Sequence, residues 1–419
     1  MNIDITIYCL TYNHVDYIRD ALESFLMQRT SYKYNIFVYD DASTDGTSAV
    51  LQEYKEKYPE IFDIYISPRN IYRLPEREII MHKLYEKHII GKYVAWCEGD
   101  DYWTNPDKLQ KQVEFLENNP RCSMVSHGAY WKDCRTGELK DYNPYNKNRY
   151  LTAEEVILQQ GGNLSTASLV MRKSVFIRDI NFPACDVGDI PMQLYALCKG
   201  DIYYFNCQMS MYRYMHDGSW SKEIDEDFEN SNIHAYHMID FLEKYNEYRC
   251  GLYEELIRRR CSRYLYSKVY EYQFMNPKEY CYRMQKLKRK LRHEEQKFIE
   301  KQMSIFNFFK GDYDLNDLEQ INKFKYIVIM GTGNYSNYLT NFFLKNNIGY
   351  TGYVVSKKGN DNNKHFGKEV WEISGYPYSK ADTLVIIGIS QDSEKSVLEV
   401  LKKNDFNNIL TPLWPYCKR

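Results

Sequence analysis

Short apolar runs that end in polar turns, each followed by apolar residues at helical spacing, set the rhythm of the first part of the chain. Ile3 to Leu10 reads as a strand. It passes through Thr11-Tyr12-Asn13-His14 into Val15–Gln28, where Ile18, Leu22, Phe25 and Leu26 recur on one helical face. Asn35–Tyr39 repeats the pattern and runs through Asp40–Thr47 into a second helix. Phe62–Ser67 is a third strand, Pro75–His88 a helix, and Lys92–Cys97 a buried strand. Asn105-Pro106 opens a helix over Lys108–Leu116, with Pro as a first-turn residue. Parallel strands need crossovers, so this repetition predicts a parallel sheet. The polar turns then fall at its carboxyl edge, where open α/β folds bind ligands.

Beyond Leu116 the pattern changes. Cys122–His127 is a strand, and Tyr130–Tyr142, turning at Thr136-Gly137, reads as a hairpin. Thr152–Gln160 is a capped helix ending at Gly161-Gly162. Leu164–Arg172 predicts a strand with a short helix from Ser174. Asp189-Ile190-Pro191 opens another helix, and Asp201–Phe205 and Met209–Tyr214 read as two strands. From Asp225 to about Leu318 the periodicity is helical, and an αβ pattern restarts at Phe324. There Tyr326–Met330 leads into Gly331–Ser336, a G-x-G-x-x-S turn. Ser336 stands in place of the third Gly, and Ser356 where an acid would hold a ribose, so a structural or partner-binding module is expected rather than an NAD-using one. The expected division is residues 1–224, a helical arm 225–320, and a small Rossmann-like α/β domain 321–419.

Composition adjusts this picture in few places. A length of 419 residues calls for more than one core. A net charge of -2 gives no reason to expect nucleic acid as a partner. The 11 Cys are scattered without a C-x-x-C pair, which predicts reduced thiols and a cytoplasmic protein. The opening residues read as a strand rather than a leader, and no apolar run approaches a membrane span. Between Arg249 and Lys301, however, 15 Lys and Arg face 7 Glu. Such a basic, Tyr-rich arm suits peripheral contact with anionic lipid or a phosphate-bearing lipid acceptor, against the plainer reading of a solvated charged face.

The candidate chemistry centres on Glu98-Gly99-Asp100-Asp101-Tyr102-Trp103, at the end of the buried strand. Adjacent carboxylates in a desolvated cleft repel, and a hard divalent cation, Mg²⁺ or Mn²⁺, relieves them. Gly99 lets other backbone or a ligand approach closely.

This hexapeptide resembles the metal-binding motif of bacterial family 2 glycosyltransferases, nucleotide-sugar-dependent enzymes with a GT-A-type fold. The resemblance extends to Asp40–Thr47, similar to D-D-x-S-x-D-G-T, and to Tyr212–Ser221, similar to a Y-R-x-H-x-G-S-x-S closing segment. It implies that Thr11 and Tyr12, with Asn13 beside them, contact base and ribose, although Asn13 reads equally well as a cap of the helix that follows, and that Asp41 reads a uracil. Asp101 and His216 would hold the ion, with Mn²⁺ favoured by the imidazole, and Asp100 would meet the ribose or the ion's surroundings. Asp45 is expected to cap the next helix. Asp189 occupies the place where inverting members keep their base, although its position at a helix N-terminus also suits a cap; Asp186 is the neighbouring alternative. Arg69, Asn70, Arg73 and Arg77 lie where the diphosphate would pass, but none is assigned.

The expected activity is therefore inverting, metal-dependent transfer from a UDP-sugar to a hydroxyl of a glycan, lipid-linked or protein acceptor. A nucleotidyltransferase would need a Gly-rich phosphate loop that Thr11–Asp16 lacks. A non-catalytic glycan-binding scaffold would be expected to lose its carboxylates, which are all present. The C-terminal module is a candidate for oligomer or partner contacts.

Overall fold

The computed structural model describes residues 3–410 apart from 73, 75, 160–163, 186, 272–276, 290, 292, 294–295, 301–302, 304–320, 322, 346, 358–363 and 390. Four strands, β1 (Ile5–Thr11), β2 (Tyr34–Asp40), β3 (Phe62–Ile66) and β4 (Tyr93–Trp96), run parallel in the order β3-β2-β1-β4. Their connections carry α1 (Ile18–Leu26), α2 (Thr47–Lys57) and α3 (Arg77–His88). Ile5, Ile7 and Cys9 alternate onto one sheet face and bury against Ile18, Leu22 and Phe25 of α1, so the apolar stripe read from the sequence is the seam of this core. Helix α1 begins later than its apolar pattern, because Asn13 (φ 54°) turns the chain first.

The second half supplies β5 (Tyr102–Trp103), α4 (Lys108–Asn118), β6 (Cys122–Asp133), β7 (Leu139–Tyr142), β8 (Arg149–Leu151), α5 (Ala153–Leu158), β9 (Val170–Arg172), α6 (Lys173–Phe176), α7 (Asp189–Lys199) and β10 (Asp201–Tyr214). The sheet continues from β4 through β9, β6 and β10 to β5. β9 lies antiparallel to both neighbours, which makes the sheet mixed, as expected of a GT-A-type fold. The two strands expected between Asp201 and Tyr214 are one, because register shifts around Gln208 absorb the break in pattern without ending the pairing with β6. Conversely, the strand expected from Leu164 is confined to three residues after a tight turn at Thr166–Ser168. Helix α5 carries the anticipated start signal, a capping box between Thr152 and Glu155.

The chain forms two compact units, residues 1–257 and 258–419. The first includes α8 (Trp220–Glu226) and α9 (Phe228–Tyr248), which continues the fold beyond β10. Tyr245 of α9 donates to the Leu194 carbonyl of α7 at 3.3 Å, and Phe182 packs edge-on against Phe241 and Tyr245. The helices α10 (Glu254–Glu271) and α11 (Pro277–Lys288) follow; the helix expected to reach Leu318 runs outside the described residues there.

The second unit holds β11 (Tyr326–Met330), α12 (Asn334–Lys345), β12 (Gly352–Val355), β13 (Lys364–His365), β14 (Lys368–Glu372), β15 (Thr383–Ile387), α13 (Gln391–Lys403) and β16 (Ile409–Leu410). Its sheet, ordered β13-β14-β12-β11-β15-β16, is parallel except for β13. Among the described residues no helix is long and apolar enough to cross a membrane.

Candidate active site

The site is assembled where β1, β2 and β4 end side by side. Past its last paired residue, β4 continues along β1: Cys97 N–H donates to the Tyr8 carbonyl at 3.0 Å and Gly99 N–H to that of Leu10 at 2.9 Å. A Cβ on Gly99 would lie 2.7 Å from Thr11 Oγ1 and 2.9 Å from Ile18 Cδ1. Glycine is thus required for the acidic turn to lie against the end of β1.

The turn places two carboxylates in different surroundings. Asp101 is buried, and its Oδ1 accepts the Arg213 N–H at 2.9 Å. Asp100 Oδ2 faces His216 Nε2 at 2.9 Å and His14 Nε2 at 3.8 Å. Burial opposes ionisation of Asp100, but His14 and His216 outweigh it and hold its carboxyl below the usual range. Burial, and then the charge of Asp100, push Asp101 well above it. Glu98 is also pushed up, to about 8, by desolvation and then by Asp100 and Asp189, with Arg77 opposing. Asp100 Oδ1 and Asp101 Oδ2 are both buried without a hydrogen-bond partner among the described residues. Unpaired carboxylate oxygens at such a depth are costly, and a hard cation offers what they lack. No group of three or more His, Cys, Asp or Glu among the described residues is already gathered for a metal. The donor set that fits one is the two orphaned oxygens with the neighbouring imidazole.

His216 is brought in by the segment after β10. Its Nδ1 lies 2.9 Å from the Asp217 carbonyl, and its ring packs on Tyr17 at 4.7 Å between centroids. Arg213, one strand position short of the turn, organises these parts. Its guanidinium donates to the Asp100 carbonyl at 2.7 Å, pairs with Asp20 of α1, and lies 4.6 Å from the Tyr102 ring centre. Neither Arg213 nor His14 was singled out from sequence. The Tyr-Arg pair ahead of His216 was a signal for the first, whereas His14 carried none beyond its polar turn.

The nucleotide-side candidates converge from two loops. Asn13 N–H donates to Ser43 Oγ at 2.8 Å, and Asn13 Oδ1 accepts the Thr44 N–H at 2.8 Å, so Asn13 clamps the loops together and does not cap α1. Asp45 accepts the Thr47 N–H at 2.9 Å at the start of α2, and also the Val15 N–H at 2.9 Å. Partial desolvation opposes ionisation of this exposed residue, but a bond from the Thr47 hydroxyl at 2.7 Å together with these two outweighs it and holds its carboxyl below the usual range. Asp41 is buried, with Oδ1 accepting from Ile71 N–H at 2.8 Å and Tyr39 hydroxyl at 3.0 Å. Asn70 donates to the Asp41 carbonyl at 3.2 Å, which draws residues 70–71 over the end of β2. Thr11 is buried with Oγ1 unpartnered among the described residues, while Tyr12 stays exposed.

Asp189 is the first residue of α7; Gly188 holds the capping position. A Cβ on Gly188 would come within 2.7 Å of Trp96 Cη2, so this helix starts hard against the end of β4. That placement brings Asp189 within electrostatic reach of Glu98. Asp186, Arg73 and the Gly161-Gly162 turn lie outside the described residues.

Residues 6–178 match the family described as Glycosyl transferase family 2. An uncharacterized protein of Mycobacterium tuberculosis is 31% identical over 223 residues, 52% of this chain and 60% of that protein. The alignment thus leaves over a third of that relative's length unmatched. The putative teichuronic acid biosynthesis glycosyltransferase TuaG of Bacillus subtilis is 33% identical over 112 residues, 27% of this chain and 41% of its own. Among solved structures, Staphylococcus aureus TarS 1-349 in complex with UDP-GlcNAc is similar, with 16% identity, a TM-score of 0.49, and coverage of 74% of this chain and 80% of that one.

Proposed function

From the premise that the N-terminal domain of this chain belongs to glycosyl transferase family 2, we propose that the protein transfers a sugar from a UDP-sugar to an acceptor hydroxyl, with inversion, during surface-glycan or glycoprotein assembly. The observation that carries the reading is the pair of buried, unpartnered oxygens on Asp100 and Asp101 beside His216. Asp101 and His216, with Asp100 adjoining, would hold Mn²⁺ or Mg²⁺. Such an ion, when bound, supplies positive charge for the diphosphate leaving group.

The remaining roles belong to the chain itself. Asp41 keeps Oδ2 for the base, since the contacts to Ile71 and Tyr39 both fall on Oδ1; an acceptor there suits the imide N–H of uracil. Tyr12 offers an exposed ring, and Thr11 Oγ1 an unsatisfied hydroxyl. Asn13 fixes the two nucleotide loops relative to each other. Asp189, first residue of the helix whose Gly188 packs against Trp96, takes the acceptor proton as general base. The residues from Gly218 to Trp220 form a closing segment, tied to the acids through His216 just before it, whose Nε2 lies 2.9 Å from Asp100 Oδ2.

The same reading assigns the sugar-transfer site to residues 1–224 and acceptor or partner contacts to 225–320 and 321–419. It has the protein working in the cytoplasm, with the basic arm touching the inner membrane face; the excess of Lys and Arg supports this. A panel of nucleotide sugars, assayed for nucleotide release with Mn²⁺ and with excess chelator, tests it. Metal-dependent release from a UDP-sugar is expected, and equal release in chelator would remove the metal from the account.

A further inference from the structure

His14 stands beside the acids with its backbone held and its ring unsatisfied. The backbone N–H donates to Thr47 Oγ1 at 2.9 Å, and the carbonyl accepts from the Tyr17 and Ile18 N–H groups at 2.9 and 2.8 Å. The side chain is 14% exposed. Its Nδ1 is buried without a hydrogen-bond partner among the described residues. Its Nε2 lies 3.8 Å from Asp100 Oδ2, beyond hydrogen-bond reach. The chain thus fixes where His14 stands while its imidazole bears the cost of a covered, unpaired polar group.

The surroundings identify what the ring lacks. His216 Nε2 lies 2.9 Å from the same Asp100 oxygen, and the two imidazoles stand edge to face, with centroids 6.0 Å apart at 80°. Two nitrogen donors therefore approach one carboxylate oxygen from different directions. Ligands of one ion with bonds of about 2.1 Å lie about 3.0 Å apart at right angles and about 4.2 Å apart when opposite. The separations of 2.9 and 3.8 Å match that span. Asp100 Oδ1 and Asp101 Oδ2, buried and unpartnered among the described residues, add oxygen donors. As the side chains stand they do not form a closed set, but a ring with no hydrogen bond to break can turn into one. A water molecule on Nε2 would satisfy the ring and leave the two carboxylates repelling each other.

Resting on the reading of a metal-dependent glycosyltransferase, we propose that His14 is a second imidazole ligand, bonding the ion through Nε2 alongside His216 and the carboxylates. Two borderline nitrogens favour Mn²⁺ over Mg²⁺. Because His14 directly follows Thr11, Tyr12 and Asn13, the ion also fastens the nucleotide loop to the acidic turn.

The test is pulsed EPR of Mn²⁺ bound to the full chain with UDP. Protein carrying natural and ¹⁵N-labelled histidine is compared, so that the imidazole nitrogens coupled to the ion are counted. Two are expected in the wild type and one in each of His14→Leu and His216→Leu. Mn²⁺ affinity, read from the free-ion signal, should fall at least about tenfold in His14→Leu. One imidazole nitrogen in the wild type, or an unchanged count in His14→Leu, overturns the proposal. The wild-type count needs no variant, so it decides even if His14→Leu fails to fold. The outcomes also keep the two readings apart. Mn²⁺ held through His216 alone rejects only His14 as a ligand, whereas UDP binding without bound Mn²⁺ rejects metal dependence itself.

Discussion

Lys108 is fully buried at the start of α4, and its Nζ has no hydrogen-bond partner among the described residues. Burial pushes its ammonium down from 10.5 to about 7, with Cys97 and Cys207 only partly opposing. At about 1.4 kcal/mol per unit, that shift is a penalty of about 5 kcal/mol in neutral solution. The Trp103 ring, 4.3 Å from Nζ, stabilises the charged form and returns about 2 kcal/mol in a desolvated setting. Lys108→Met keeps the volume and removes the penalty, so it should stabilise the first unit by about 3 kcal/mol near neutrality. Because the folded-state value is depressed, the unfolded chain binds a proton that the native chain releases between about 7 and 10.5. Wild-type stability therefore rises with pH across that window, and the advantage of Met shrinks toward its upper end. His127, held well below its usual range by burial and then by Lys108, stays neutral throughout and adds no slope there. Urea unfolding of the full chain, followed by hydrogen exchange in peptides covering β4 to α4, measures this at neutral and alkaline pH. A destabilised Met variant, or a gain that does not change with pH, would refute the reasoning and mean that Nζ is charged and solvated by internal water.

Three further outcomes bear on the site. Asp189→Asn keeps size but removes the charge, so turnover should fall by about 10²-fold while UDP-sugar affinity holds; unchanged turnover would leave Asp189 a structural residue. Gly99→Ala forces a methyl group against Thr11 and Ile18 and should cost about 1–3 kcal/mol of stability together with nucleotide affinity, read by thermal unfolding and UDP titration; wild-type values in both would contradict the close approach. Asp41→Asn should weaken UDP binding and narrow the preference over CDP, because an amide can donate where the carboxylate only accepts; an undiminished preference in competition binding would remove Asp41 as the base reader.

Much of the parallel half was legible because β1, β2 and β4 are buried on both faces and read as apolar runs broken by polar turns. Other elements depended on partners far along the chain. The two-residue strand β5 exists because Tyr102 and Trp103 pair with Met211 and Ser210, a register that no local pattern announces. β10 kept its pairing through bulges that looked like a loop. The acids were legible as a pair, but not their division of labour. Asp101 is occupied by the Arg213 backbone and Asp100 by His216, contacts that span more than a hundred residues. Asn13 read equally well as a helix cap, and only its left-handed backbone and the neighbouring Asp40–Thr47 loop decide for a clamp.

The central claim is that the carboxylates ending β4 bind a metal together with a nucleoside diphosphate. Calorimetric titration of UDP into the full chain, in Mn²⁺ and in chelator, for wild type and Asp101→Asn, tests it most directly. Mn²⁺ should tighten UDP binding by at least about tenfold in the wild type and by far less in the variant. Equal UDP affinity with and without the metal, or a variant that keeps the full response, would contradict the account.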